Sequence, residues 1–231
     1  MRNTPDAKQA AAEFDDWADA GRAESMADGH QGVTFAAIRG WTLDTDDVAL
    51  DVGCGNGWAL RELVARGAGR GLGVDIAPKM IALAREDTAD DPRFDFQASP
   101  ADKLPWPDAS ASHILNIESL YYYPNPAAAL AEWARVAKPG ARLAILVDLY
   151  EENPATHVWI DALDIAVHLF STDQLIAMAE AAGWSDVWAE QVLDPRPITP
   201  ESEFQISKYW PSYDLYRQHR ETGALVIHAK R

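Results

Sequence analysis

The chain has 231 residues, 48% of them hydrophobic, and it carries 36 acidic against 20 basic side chains, for a formal net charge of −16. This length suits one α/β domain with an insertion or cap, and the hydrophobic content excludes a disordered chain. The acidity disfavours nucleic acid and anionic membrane surfaces as partners. No apolar run approaches the roughly 20 residues of a membrane span, the N-terminus has no apolar signal core, and a single cysteine excludes an internal disulfide. Together these observations predict a cytoplasmic protein.

The N-terminal segment, residues 4–40, has an amphipathic helical pattern that places Phe14 and Trp17 on one stripe. Glycines at 21, 29 and 32 are expected to break it into pieces. Because the segment precedes the first strand, the sheet can form without it. It is therefore either a mobile lid over a ligand pocket or a helix that merely packs on the sheet.

From residue 48 onward, short apolar strands alternate with helical segments, which predicts a mostly parallel, three-layer α/β sheet. Two connecting segments, 150–171 and 193–222, are too long for simple turns and are expected to form a substrate cap. The expected strands are 48–52, 71–75, 94–98, 113–117, 142–149, 187–192 and 223–230, and the expected helices are 58–66, 78–87, 125–136 (stopping at 138–140) and 172–182.

A glycine turn links the first strand to its helix, and it is the main functional signal of the sequence. Gly53 and Gly55 let the backbone approach a ligand where a Cβ would collide. The turn leads into a helix N-terminus, whose free N–H groups face the same crevice. Asp75 ends the next strand about 20 residues on, where a carboxylate can accept both hydroxyls of a ribose.

The composition of this turn restricts the nucleoside it can hold. Trp58 stands where the dinucleotide fingerprint needs its third glycine, and no lysine follows the turn as a P-loop requires. No basic residue occurs in 48–60 to neutralise a phosphate. A ligand with a ribose, no phosphate and a positive charge fits best, and S-adenosylmethionine (SAM) has these properties.

Four motifs in order resemble the class I SAM-dependent methyltransferases, and most closely the small-molecule branch that includes the quinone-biosynthesis C-methyltransferases. These motifs are Asp51-x-Gly53-x-Gly55-x-Gly57, Gly73-Val74-Asp75-Ile76, Leu104-Pro105-Trp106-Pro107-Asp108 and Asn116-Ile117-Glu118-Ser119-Leu120-Tyr121. The resemblance covers roughly residues 47–148. It implies one Rossmann-like domain over 1–231, with seven strands of which the last is antiparallel, a helical lid at 1–40, a SAM-binding core at 47–148 and the two cap segments.

The resemblance also implies that SAM is the cofactor and S-adenosylhomocysteine (SAH) the product, and it assigns roles to individual positions. Asp51 is expected to reach the cofactor's ammonium, Asp75 its ribose, and Asn116 its methionine moiety. The backbone N–H of Ala101 is expected to meet the adenine, because Ser99-Pro100-Ala101 replaces the family's usual Gly-Asp-Ala. The full set expected to bind SAM is Trp17, Arg22, Asp51, Gly53, Gly55, Asp75, Ile76, Met80, Ala101 and Asn116, with Arg22 on the cofactor's carboxylate, Trp17 stacked over the pocket, and Ile76 and Met80 on the adenine faces.

Methyl transfer from a sulfonium is an in-line displacement with a good leaving group, so it needs alignment in a dry pocket more than it needs a base. Tyr121 is the best catalytic or positioning candidate, since the family's equivalent position faces the transferred methyl. His30 and His157 are the candidate bases. No zinc, metalloprotease or serine-hydrolase motif occurs, and no metal site is predicted.

The sequence leaves the methyl acceptor and the oligomeric state open. The leading hypothesis is an enzyme that methylates a small molecule. A SAM-binding regulatory or partner protein without methyl transfer is the alternative. A nicotinamide oxidoreductase is disfavoured by Trp58.

Overall fold

A computed structural model describes residues 4–89 and 91–231. The helices are α1 Ala7–Asp19, α2 Arg22–Ala37, α3 Trp58–Ala65, α4 Pro78–Asp87, α5 Pro126–Val136, α6 Trp159–Ala162, α7 Thr172–Ala181 and α8 Tyr213–Thr222. The strands are β1 Val48–Val52, β2 Arg70–Asp75, β3 Phe94–Ala98, β4 Ala111–Ile117, β5 Ala137–Val147, β6 Ser185–Val192 and β7 Ala224–Lys230. In the described ranges, no helix has the length and apolar character needed to cross a membrane.

The seven strands form one sheet in the order β3-β2-β1-β4-β5-β7-β6. Strands β1 to β5 run parallel, and β7 lies antiparallel between β5 and β6. This confirms the predicted Rossmann-like sheet and its antiparallel last strand. The strand order reverses between β1 and β4, and ligands bind at the carboxyl ends of the strands at such a switch point.

The sheet has an apolar core on each face, because successive side chains of a strand point to opposite sides. In β1, Ala49 packs into one core, while Leu50 and Val52 pack into the other. The first core contains residues of α2, α3 and α4, and the second contains residues of α5 and α7. Helices therefore cover both faces and give three layers.

The N-terminal segment differs from its expected breaks. Only Gly21, at φ +68°, separates two helices, and Gly29 and Gly32 lie inside a continuous α2. Tertiary packing explains why position 32 is a glycine although the helix continues through it. A Cβ at Gly32 would lie 2.6 Å from Oδ1 of Asp194 in the second cap segment. The glycine thus makes room for the cap and does not end the helix.

Two other expectations were wrong: the fifth strand was expected to begin at residue 142, and no helix was expected within 193–222. Helix α5 ends at Val136, and β5 begins at once with Ala137, which pairs with Ala111, so residues 138–140 belong to the strand. The second cap segment contains α8, which the sequence analysis missed. Ser212 caps this helix by accepting a hydrogen bond from the N–H of Leu215.

Candidate functional site

Two cavities lie at the carboxyl ends of the parallel strands, on either side of the glycine turn. The larger has a volume of about 690 Å³ and the smaller about 110 Å³. Both border Gly53, Asp75 and Ser119. The larger is closed by α1, α2 and the cap, and the smaller lies beside β2, β3 and the loop after β4. One ligand can therefore extend from one cavity into the other past the turn.

The two predicted glycines of the turn have different roles. Both adopt positive φ, +79° at Gly53 and +52° at Gly55, a region that favours glycine. A Cβ at Gly53 would collide with the Ser119 side chain, whereas a Cβ at Gly55 would meet no atom within 4 Å. Gly53 is thus required by the protein's own packing, while Gly55 leaves open space where the turn borders the larger cavity.

Asp75 lies between the two cavities with its carboxylate held in place by the backbone. Its Oδ2 accepts from the N–H of Gly55 and its Oδ1 from the N–H of Ala77, both at 2.9 Å. Burial raises the pKa of Asp75, and these backbone N–H bonds oppose the rise. Each oxygen retains a lone pair, so the carboxylate can still accept two hydroxyl groups.

Asp51 borders the larger cavity as a buried and uncompensated acid. It is 2% exposed, and its Oδ1 has no hydrogen-bond partner in the described structure. Burial, with a smaller contribution from the charge of Asp75, raises the pKa of Asp51 to about 8. A cationic group in the cavity would supply the missing partner.

The residues expected around the adenine are divided between the cavities. Ile76 and Ala101 line the smaller cavity together with Pro100 and Asp102. Met80 instead lines the larger cavity and is almost fully buried beneath α1 and α2. The structure therefore does not place Ile76 and Met80 on opposite sides of one slot.

Asn116 was expected at the mouth of the crevice, but it borders neither cavity. It is fully buried behind the glycine turn, where its Nδ2 donates to the Val52 carbonyl at 2.7 Å and lies 2.6 Å from Ser119 Oγ. Its Nδ2 holds β1 against the loop after β4, while its Oδ1 has no hydrogen-bond partner among the described residues. Its geometry supports the turn and leaves no direct side-chain contact with a ligand.

The predicted lid residues line the larger cavity. The Arg22 guanidinium lies 3.9 Å from the centroid of the Trp17 ring and donates to the Tyr209 hydroxyl at 3.2 Å. Phe14 packs edge-on against both Trp17 and Tyr122. Helices α1 and α2 are therefore closed over the cavity and joined to the cap.

The predicted catalytic residues Tyr121 and His30 meet at one group of titratable side chains. The Tyr121 hydroxyl donates to Glu118 Oε2 at 2.9 Å, and Glu118 Oε1 accepts from the N–H of Asp148 at 2.6 Å. One ligand atom from each of His30, Glu118 and Asp148 lies within 4.8 Å of the others. Burial lowers the pKa of His30, whereas burial and the neighbouring Asp148 raise that of Glu118.

Aromatic residues of the cap form the far wall of the larger cavity. The rings of Trp159 and Trp210 pack edge-on with their centroids 5.1 Å apart, and the ring centroid of His219 in α8 lies 4.9 Å from that of Trp210. His219 Nε2 is 3.8 Å from Asp148 Oδ2. This wall can contact an apolar or aromatic ligand from several sides.

Sequence reasoning misassigned one residue of this group and missed others. His157 does not border the larger cavity, because its Nε2 pairs with the Tyr150 carbonyl at 3.1 Å. Glu118 and Asp148 were missed, although they directly follow the adjacent parallel strands β4 and β5 and so had to meet at one sheet edge. His219 was missed with its helix. The absence of a local motif led to no metal site being predicted, yet three distant segments bring together groups that can hold a metal.

The chain is similar to known methyltransferases over its whole length and over its core. A family profile described as a methyltransferase domain matches residues 50–145. A chain from the complex between the Haloferax volcanii Trm112 methyltransferase activator and its methyltransferase partner is 32% identical, with a TM-score of 0.84, and the alignment covers 94% of this chain and 97% of that one.

Two curated proteins match part of the chain. Cycloartenol-C-24-methyltransferase 1 of Oryza sativa is 30% identical over 69% of this chain and 51% of its own length. Demethylmenaquinone methyltransferase of Tropheryma whipplei is 34% identical over 48% of this chain and 45% of its own length. The chain thus spans about half the length of these curated relatives.

Proposed function

Since this chain belongs to the class I SAM-dependent methyltransferases, enzymes whose cofactor is SAM, we propose that it transfers the SAM methyl group to a small organic acceptor. The observation that carries the proposal is the order of groups along one crevice. Asp75 and Gly53 lie where the cavities meet, Asp51 lies next to them, and the acidic and aromatic acceptor space lies beyond.

SAM matches this order of groups when its adenine end lies in the smaller cavity and its methionine end in the larger one. The adenine occupies the smaller cavity beside Ile76 and Ala101, the ribose hydroxyls donate to Asp75, and the ammonium pairs with Asp51. The cofactor's carboxylate lies toward Arg22, whose guanidinium is held by Trp17 and Tyr209. This orientation points the methyl group into the larger cavity.

The reaction then needs little from the protein beyond alignment. The bond between sulfur and the methyl carbon breaks, its electron pair stays on sulfur as the neutral thioether of SAH, and a new bond joins the methyl carbon to the acceptor. An acceptor atom that arrives protonated must lose its proton. Tyr121, Glu118 and His30 border the space where this occurs and are the groups able to position the acceptor or take the proton.

The acceptor is small because the space beyond the sulfur is limited in volume. The whole of the larger cavity, about 690 Å³, falls within the range of small-molecule sites, and SAM itself takes part of it. The two relatives named above are a cycloartenol and a demethylmenaquinone methyltransferase. These names support a partly apolar acceptor here.

The experiment combines cofactor binding with a search for the acceptor. Calorimetry with SAM and with SAH measures binding to the wild type and to Asp75→Asn, which keeps the side-chain volume and removes the charge. Labelled SAM is then incubated separately with a metabolite extract, with RNA and with protein. We expect binding that weakens by roughly 10- to 100-fold in the variant, as a lost charged hydrogen bond implies, and label in the metabolite fraction.

Other outcomes would redirect the assignment. Label that appears only in RNA or protein would contradict the small acceptor. Tight SAM binding with no transfer to any fraction would favour the alternative, a SAM-binding partner protein. Equal SAM affinity in the wild type and in Asp75→Asn would remove the ribose assignment.

A protein partner is a further part of the proposal. The Haloferax volcanii relative was solved in complex with a Trm112 activator, and we propose that this chain also binds a Trm112-type protein. Among the described strands, β3 and β6 end the sheet and each leaves one backbone edge available for strand addition. Co-expression with a Trm112 protein should yield a 1:1 complex on gel filtration, and elution of the two as separate species would contradict it.

A further inference from the structure

Three side chains from distant parts of the chain converge at the floor of the larger cavity. His30 comes from the middle of α2, Glu118 follows β4 and Asp148 follows β5. One ligand atom from each lies within 4.8 Å of the other two. We propose that these three residues form a binding site for a divalent transition-metal ion.

Asp148 gives an independent reason to place a cation there. The residue is 7% exposed, yet its carboxylate accepts no hydrogen bond from any residue that the structure describes. Its nearest potential counter-ion is His219 Nε2, at 3.8 Å. The side chain is only 10% exposed and has no protein partner within hydrogen-bond distance, so a cation in the cavity would supply the missing partner.

The neighbouring arginines are already engaged elsewhere. Asp194 accepts from Arg196 Nε at 2.9 Å, and its Oδ2 lies 3.7 Å from Arg220. Within residues 4–89 and 91–231, neither Glu118 nor Asp148 forms an ion pair with a lysine or arginine. The two carboxylates therefore face the cavity with their negative charge available to an ion.

The outer hydrogen bonds of Glu118 resemble those that hold metal-binding carboxylates. Tyr121 donates to one carboxylate oxygen and the Asp148 N–H to the other. Each oxygen keeps a second lone pair for an ion, and such supporting bonds typically orient metal ligands. Three ligands about 2.1 Å from one tetrahedral ion lie roughly 3.4 Å from one another, so the three groups need to close by at most about 1.4 Å.

The donor set selects the kind of ion. One imidazole nitrogen and two carboxylate oxygens suit zinc, cobalt, manganese or iron(II), whereas magnesium and calcium prefer oxygen alone. The remaining coordination positions face the cavity. There the ion can bind an oxygen of the acceptor and ease loss of the hydroxyl proton to water before transfer. This last role rests on the proposed function, but the metal site itself does not.

The test measures metal binding directly, on protein freed of any histidine tag. Equilibrium dialysis against Co(II) and against Zn(II) gives the stoichiometry, and Co(II) also reports its ligands through its visible absorption. The variants are His30→Ala and Asp148→Asn. Asp186→Asn is the matched control, because Asp186 is exposed and pairs with Lys230 on β6 and β7. Circular dichroism of the metal-free proteins checks that each is folded.

We expect one ion per chain in the wild type and in Asp186→Asn. Loss of a direct ligand should weaken affinity by at least about 10- to 100-fold in each site variant, the range seen when even a supporting residue is removed. If His30→Ala does not fold, Asp148→Asn and the wild-type Co(II) spectrum still decide the matter.

The proposal is overturned if the wild type binds no ion, or if both site variants bind as tightly as the control. It is equally overturned if Co(II) in the presence of the protein keeps the spectrum of the free hexaaqua ion. A chain that binds the ion but transfers no methyl group would retain the site and lose the proposed function. A chain that transfers the methyl group without binding metal would support the proposed function and contradict the metal site.

Discussion

Asp51 and Asp75 are buried acids at adjacent strand ends, yet their surroundings suit them to different partners. Two backbone N–H groups hold Asp75, so its charge is supported before any ligand arrives. Asp51 lacks such support at Oδ1, and its pKa rises to about 8 because of burial. Asp75 is thus a preformed acceptor for hydroxyls, whereas Asp51 gains its partner only from a bound cation.

This difference predicts that SAM affinity depends on pH. Below about pH 8, Asp51 must lose a proton before it can pair with the ammonium, so affinity should rise as pH increases from 6 to 8, by at most about tenfold per unit. Calorimetry in buffers of different ionisation enthalpy should detect the released proton. In Asp51→Asn the dependence should flatten, while the exposed control Asp46→Asn should behave like the wild type. A pH-independent affinity in the wild type would contradict the pairing.

The stability of the ligand-free protein should show the opposite trend from the same residue. An acid whose pKa is raised in the folded state keeps its proton while the unfolded chain loses it, so the free energy of unfolding falls between about pH 4 and pH 8. Asp51→Asn should remove part of this fall and be the more stable protein at pH 8. Urea unfolding at pH 4 and at pH 8 measures the free energy of unfolding of both proteins. If this free energy falls equally with pH in the two proteins, Asp51 is not responsible for the fall.

The two glycines of the turn should separate folding from binding. Gly55→Val adds a side chain toward open space, so SAM binding should be lost while the free energy of unfolding falls by roughly 1–2 kcal/mol because of the positive φ. Gly53→Ala collides with Ser119 and should cost roughly 1–3 kcal/mol of stability. Urea unfolding and calorimetry on both variants test the contrast. The assignment fails if Gly55→Val binds SAM normally.

At the scale of elements, the core strands were predictable because apolar runs between helices mark a buried parallel sheet. The cap was not. Helix α8 contacts its surroundings through Tyr213, Tyr216 and His219, and it is so polar overall that it lacks the apolar content of the other helices. The continuity of α2 through two glycines also depends on the cap that packs against it, which no local pattern reveals.

The contact between α2 and the cap predicts a measurable restraint. Arg196 donates to the backbone carbonyls of Asp28 and Gly29, and so ties the cap to α2. Arg196→Ala should speed protease cleavage within α2 in the absence of SAM, and SAM should restore part of the protection, as expected for a lid that closes on the ligand. Arg217→Ala is the control, since Arg217 pairs only within α8. Equal cleavage rates with and without SAM in the wild type would exclude the lid.

At the scale of the whole molecule, the net charge of −16 should make stability depend on salt. Self-repulsion opposes the compact state, and its range shrinks from about 10 Å at 0.1 M to about 3 Å at 1 M salt. The Tm should therefore rise between 0.1 M and 2 M KCl, by about 2–4 °C for each kcal/mol of repulsion that the salt screens. A Tm that stays constant or falls would show that the acids are already compensated in the folded chain.

The order of strands in the sheet also bears on how the chain folds as it is synthesised. Strand β6 pairs only with β7, and the second cap segment is the long connection between them. On the ribosome, β6 and the cap must therefore wait without a sheet partner until β7 leaves the exit tunnel. The five parallel strands can assemble earlier from local units. The larger cavity is thus the last part of the protein to form, and a pause in translation before β7 would leave its aromatic wall exposed.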